Sequence, residues 1–279
     1  MIFQSYLKPH GQAVFRVVLL SACLLASQVS VVGQAPASAE PAEDKHTEIV
    51  RLGEAIVRNT TSHPLSKNFV GNSLNCTSCH LDNGRHPKAG TFLGTATAYP
   101  AWSPRENRVI TLEDRVLNCF MRSCNGVRPP LGSEVSVAVT TYITSLSQGI
   151  PIRMNPARPV GPGAIKLLAV KIEQADINRG ATLYNSRCAE CHQKDGQGDK
   201  GSPPVWGERS YNDGAGLSSV ENLAAWLKVA MPLDDTDLTD QQAVDIAAYV
   251  NSHERPHFEL IKHLPTRENL GEYNGSLTK

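Results

Sequence analysis

The sequence predicts a mostly α-helical protein built as two small domains in tandem. Three observations carry that expectation. The string Cys76-Thr-Ser-Cys79-His80 recurs as Cys188-Ala-Glu-Cys191-His192, 112 residues on, with helical patterns before and after each copy. A run holding Pro151, Pro156, Pro159 and Pro162 separates the copies and reads as a semi-rigid linker. No alternating Val/Ile-rich strand run stands out.

The first element is an address. Residues 1–39 carry Lys8 and Arg16 and no acidic residue, Val17 to Val32 is mostly apolar, and Ala37-Ser38-Ala39 offers small residues for cleavage. This is the layout of a signal peptide, with a periplasmic destination. A membrane anchor is a weaker reading, because Ser21, Ser27, Gln28 and Ser30 interrupt a run already short for a span. Leu20-Ser21-Ala22-Cys23 also resembles a lipoprotein box, so a lipid anchor at Cys23 is the minority alternative. Lys and Arg number 27, as do Asp and Glu, so the chain has no basic excess with which to bind nucleic acid. Cleavage at 39 leaves 25 basic against 27 acidic residues, six cysteines, and no membrane span.

The first domain is expected over 45–150. Ile49, Leu52 and Ile56 recur at helical spacing with Gly53 among them, and a helix from Thr111 follows the first cysteine string. A linker is expected over 151–175 and the second domain over 176–256. Asp176 is a plausible N-cap ahead of Gly180, Leu183 and Tyr184. Capping boxes at Ser218…Glu221 and Thr239…Gln242 open two further helices. Both domains end in related text, Tyr142-Ile-Thr-Ser145 and Tyr249-Val-Asn-Ser252. Residues 257–279 read as an exposed tail.

Cys-x-x-Cys-His is the spacing of c-type haem attachment. Two thiols one helical turn apart can form thioethers to the two vinyl groups, and the adjacent histidine reaches the iron. A thioredoxin-like disulfide would want a βαβ pattern and a zinc site two more near ligands; neither is present. The expected cofactors are therefore two covalently bound haem c groups, on Cys76 and Cys79 and on Cys188 and Cys191, with His80 and His192 as axial ligands. The expected fold is two cytochrome c-like helical domains. A buried macrocycle also explains how domains of this size manage with only 6% aromatic residues.

The opposite axial ligands differ. Met231 stands 39 residues after His192 and is the leading ligand in the second half, with Lys228 and His253 in reserve. At the same offset from His80 stands Cys119. A thiolate pushes electron density onto iron and lowers its potential, so electrons would enter at the first haem and leave through the second. Two other readings stay open: a Cys119–Cys124 disulfide, or Met121 as the ligand. Arg105, Arg108, Arg115 and Arg122 crowd the same stretch, and Arg115 and Cys119, at i and i+4, share a helix face.

Two longer segments carry a resemblance. Tyr99-Pro-Ala-Trp-Ser-Pro-Arg105-Glu-Asn-Arg108 with Leu112-Glu-Asp-Arg115-Val-Leu-Asn-Cys119-Phe-Met-Arg122-Ser-Cys-Asn125-Gly126, and Ala224-Ala-Trp-Leu-Lys-Val-Ala-Met231-Pro-Leu233 with Val250-Asn-Ser-His253-Glu-Arg-Pro256, resemble the periplasmic dihaem thiosulfate dehydrogenases. The resemblance spans roughly 47–256 and implies oxidation of two thiosulfates to tetrathionate, with electrons passed to a soluble c-type cytochrome or another periplasmic acceptor. It implies His80/Cys119 ligation of the first haem and substrate-binding roles for Arg105 and Arg115. Some members have a lysine directly before the second-domain methionine; here Ala230 stands there. A dihaem carrier without its own substrate, and the thiosulfate-conjugating AX-type cytochromes of sulfur oxidation, are the alternatives. The first would show no thiosulfate-driven reduction; the second would need a carrier protein.

Overall fold

The computed structural model describes residues 42–157, 160–199 and 201–266, with side chains from 45 onward. The signal peptide, Cys23 and the last thirteen residues lie outside the described residues. The first half contains α1 (Ala42–Arg58), a hairpin of β1 (Ala101–Ser103) and β2 (Arg108–Ile110), α2 (Leu112–Arg122) and α3 (Glu134–Ser145). The second contains α4 (Ile177–Arg187), α5 (Ala189–His192), α6 (Val220–Ala230) and α7 (Asp240–Asn251), followed by the short α8 (Leu260–His263). The mostly helical expectation holds. The hairpin corrects the expectation of no strand. It is antiparallel and pairs Ala101 with Ile110 and Ser103 with Arg108. Strands of three residues are too short to register as an alternating pattern.

Local chemistry sets the helix starts. Thr111 accepts from the Asp114 amide and closes a capping box at α2; Asp176 accepts from the amides of Asn178 and Arg179 at α4; Thr239 and Gln242 box α7. At α6 the cap is Ser219, which accepts from the Asn222 amide, one residue later than expected. Ser218 instead donates to the carbonyls of Asp213 and Ala215, and so caps nothing.

Each half is organised by one helix crossing. A Cβ on Gly53 would lie 2.0 Å from the Ala138 carbonyl oxygen on α3, and one on Gly180 would lie 2.1 Å from that of Asp245 on α7. Only a residue without a side chain lets these backbones meet. Tyr142 and Tyr249, from the matching C-terminal strings, sit at the same crossings. The first core gathers Ile56, Val57, Phe120, Val139 and Tyr142; the second gathers Tyr184, Leu223, Trp226, Ile246 and Val250.

The halves interlock. Leu81 and Ala89, from the first half, belong to the second core. Asn212 is fully buried; it donates from its side chain to the Met121 carbonyl and to Asn125 Oδ1 (both 2.9 Å) and from its amide to the Arg122 carbonyl. The linker runs along the first half, its amides at Arg153, Met154 and Asn155 donating to the carbonyls of Thr97 and Ala98. The segment expected to be an exposed tail is packed as far as His263. Leu260 and His263 are buried, Phe258 stacks on the Arg122 guanidinium at 4.1 Å, and the His263 carbonyl accepts from the Arg128 amide.

Candidate active site

Cys76, Cys79 and His80 lie on a tight 3₁₀ turn whose N-cap is Asn75, and Cys188, Cys191 and His192 on α5 and the residue before it. In both strings the histidine is held by its Nδ1, against the Gly90 carbonyl at 2.5 Å and the Pro203 carbonyl at 2.8 Å. That fixes Nδ1 as the protonated nitrogen and leaves Nε2 with a lone pair for a metal. Burial drives the His80 pKa down to about 4, so the ring is neutral, as coordination requires. Burial also lifts Cys76 to about 11 and Cys79 to about 12, so both are neutral thiols.

A partly open cavity of about 440 Å³ is lined by Cys188, Cys191, His192, Met231 and Trp226 of the second half, and Cys79 and Leu81 of the first half also line it. The volume falls within the ~300–1,000 Å³ of cofactor sites. Two thiols, an imidazole and a thioether among apolar and polar lining residues are the donor set of a Met/His haem c. The reserve ligands are engaged elsewhere: the Lys228 ammonium donates to the Leu238 carbonyl and pairs with Asp240, while His253 stacks on Trp206 at 3.8 Å.

In the first half the helix α2 presents Cys119 and Arg115 one turn apart, and Arg115 Nη1 donates to Cys119 Sγ at 2.9 Å. Met121, two residues on, is turned about 200° around the helix from Cys119. It is fully buried. All six described cysteines outside the leader are free, so no cystine joins Cys119 to Cys124. Cys119 lies within electrostatic reach of Cys76 and Cys79, and its nearness to Arg115 holds the Arg115 pKa above its ordinary value. The four groups therefore share one site.

Arg105 reaches the same place from the hairpin. Burial of its head, then the positive charges of Arg122 and Arg115, pull its pKa down, while Glu106 and Cys119 oppose. Three guanidinium groups thus crowd one region, an arrangement that a multiply charged anion would relieve. Arg108 is exposed on β2.

Sequence reasoning missed what holds this cluster. The buried Arg128 donates to Asn118 Oδ1 and Asp114 Oδ1, both at 2.8 Å; Asn118 donates to Glu106 Oε1 at 3.1 Å; and Ser103 donates to Glu106 Oε2. This chain ties the hairpin bearing Arg105 to the helix bearing Arg115 and Cys119. Tyr99 was also missed; burial raises its pKa to about 12, and it lies in the field of Arg115 and Cys119. The only sequence signal was the density of charged and amide residues between 103 and 128.

Two cytochrome c-like halves, each with a Cys-x-x-Cys-His string and a histidine poised for iron, define a dihaem c-type cytochrome. Residues 67–152 match the family model described as the SoxA/TsdA cytochrome c domain, and residues 175–250 match that of cbb3-type cytochrome c oxidase subunit III. The thiosulfate dehydrogenase of Stutzerimonas stutzeri is 36% identical over 235 residues, 80% of this chain and 73% of that one. That of Allochromatium vinosum is 36% identical over 75% of this chain and 81% of its own. Among solved structures, the "as isolated" form of thiosulfate dehydrogenase (TsdBA) from Marichromatium purpuratum is 37% identical, with a TM-score of 0.70 over 82% of this chain. This chain spans about half of that one (49%). The protein belongs to the thiosulfate dehydrogenase family, and it carries two covalently bound c-type haems.

Proposed function

We infer that this protein is a periplasmic thiosulfate dehydrogenase, joining two thiosulfates into tetrathionate and passing two electrons to a soluble c-type cytochrome or similar acceptor. The observation that carries the reading is Arg115 Nη1 at 2.9 Å from Cys119 Sγ, inside a cluster of arginines. Bringing two dianions to about 4 Å costs roughly 4 kcal/mol even in water, and more in a cleft. Arg105 and Arg115 supply the fixed positive charge that offsets it, and their planar forks match the oxygens of a sulfonate.

In this reading His80 and Cys119 would hold the iron of the first haem, and His192 and Met231 that of the second; Cys76, Cys79, Cys188 and Cys191 would form the thioethers. The haems would supply a one-electron acceptor in each half. Cys119 would either hold the iron or carry a transient thiosulfonate. Joining the outer sulfur of the first thiosulfate to Cys119 Sγ releases two electrons, for which the two haems would be the acceptors, one electron each; the second thiosulfate then forms the new S–S bond through its outer sulfur as the bond to Cys119 breaks, with no further redox change.

The family membership and the relatives' names support the substrate. Among the described residues no helix is long and apolar enough to cross a membrane, in keeping with a mature protein free in the periplasm. The test is reduction of the purified haem-loaded protein by thiosulfate, with the product assayed as tetrathionate. Cys119→Ser should retain both haems and lose that reduction; a variant that turns over like the parent would overturn the mechanism.

A further inference from the structure

Trp226 belongs to the second half yet ends on the first. It is buried on α6 and lines the cavity that also holds Cys188, Cys191, His192 and Met231. Its indole Nε1 donates to the carbonyl oxygen of Cys79 at 3.0 Å, across 147 positions of sequence. That carbonyl belongs to the peptide joining Cys79 to His80, the thioether residue and the proximal ligand of the other haem site. Gly90 also packs against this carbonyl, and a Cβ there would lie 2.7 Å from the Cys79 oxygen. Gly90 in turn accepts from His80 Nδ1 through its own carbonyl.

A buried indole needs an acceptor, and any nearby carbonyl would satisfy that need. The partner is what matters here. The indole forms part of the wall of one haem cavity, and its N–H is bonded to the peptide that carries the attachment and the ligand of the other. We propose that Trp226 is a positioning residue that couples the two haem sites, its hydrogen bond to Cys79 completing a short bonded path for electrons from the first half to the second. The inference rests on the direction of flow proposed above. In each transfer one electron leaves the reduced first centre and arrives at the oxidised second centre. The indole is neither oxidised nor deprotonated; it fixes the spacing and lends its bonds to the path.

The experiment uses the haem-loaded protein, with a fast photochemical one-electron reductant to time transfer between centres and thiosulfate reduction of the parent as a separate arm. Trp226→Phe keeps an aromatic ring and removes the donor. A second variant carries 3-benzothienylalanine at 226, which keeps the ring size and replaces the N–H by sulfur. Both are checked for two bound haems, and both should pass electrons between centres about tenfold more slowly, equivalent to a barrier higher by about 1.4 kcal/mol. Parent-like transfer between centres in the loaded isostere would overturn the proposal, whatever the fate of the phenylalanine variant. So would a defect confined to first-centre reduction. If thiosulfate fails to reduce the parent while the variants still slow internal transfer, the proposed substrate is wrong and the coupling role stands.

Discussion

Arg115 and Cys119 are joined by one hydrogen bond, and its removal should be visible in kinetics. A bond to a charged group contributes ~1.5–3 kcal/mol, so Arg115→Ala should lower kcat/KM for thiosulfate about 10- to 100-fold. Because Arg115 acts on the reacting sulfur, the loss should fall mainly on kcat. Arg105, on the turn of the hairpin, should act mainly on KM; steady-state assays over thiosulfate concentration separate the two. Cys124 gives the contrast. It is buried, burial raises its pKa, and it forms no disulfide, so Cys124→Ala should cost stability through lost packing and leave turnover within a few-fold of the parent. The i,i+4 relation of Arg115 and Cys119 was legible in the sequence because helix geometry is local. The bonds of Arg128 to Asp114 and of Glu106 to Asn118 were not, because they join residues whose approach depends on how a hairpin folds over a helix.

At the level of the element, the two glycine crossings are the most exposed to substitution. Gly180→Ala should destabilise the second half by about 1–3 kcal/mol, since the new methyl meets the Asp245 carbonyl and alanine's better helix propensity recovers only part of the loss. Thermal melts followed at the haem bands would report it. The same crossing carries a pH dependence. Burial would raise the Asp245 pKa, but hydrogen bonds from Arg179, from the Asp176 amide and from Gln241 outweigh it and hold the pKa below the ordinary value. A carboxyl depressed on folding stabilises above its unfolded pKa, and that stability is lost as pH falls through the folded one. Denaturant midpoints of the parent should therefore drop on acidification from about pH 4 downward, and Asp245→Asn should lack this part of the slope. Helix starts at Thr111, Asp176 and Thr239 could be read from sequence because a cap is a contact within four residues. The cap at α6 fell on Ser219 because two adjacent serines offer the same chemistry, and only the turn at Asp213–Ala215 decides between them.

For the whole molecule, the two halves share residues they cannot give up separately. The second core includes Ala89 and Leu81, and Asn212 closes the end of the helix that bears Cys119. Unfolding followed at both haem centres should thus be one cooperative transition in calorimetry; two resolved transitions would show the halves to be independent. Asp114→Ala should be costly for the same reason: it strands the buried Arg128, and breaking such a pair costs about 3–5 kcal/mol. The repeat, the linker and the cofactor count were plain in the sequence. The interlocking was not, since each half reads as a sufficient domain.

Phe258 and His263 come late in the chain, yet they brace Arg122, Gly126 and Arg128 near its middle. During synthesis the segment around the reactive cysteine therefore waits, incompletely supported, until more than 130 further residues have emerged. A chain cut before position 256 should still build its first core but lack the bracing of Arg122, Gly126 and Arg128 by Phe258 and His263.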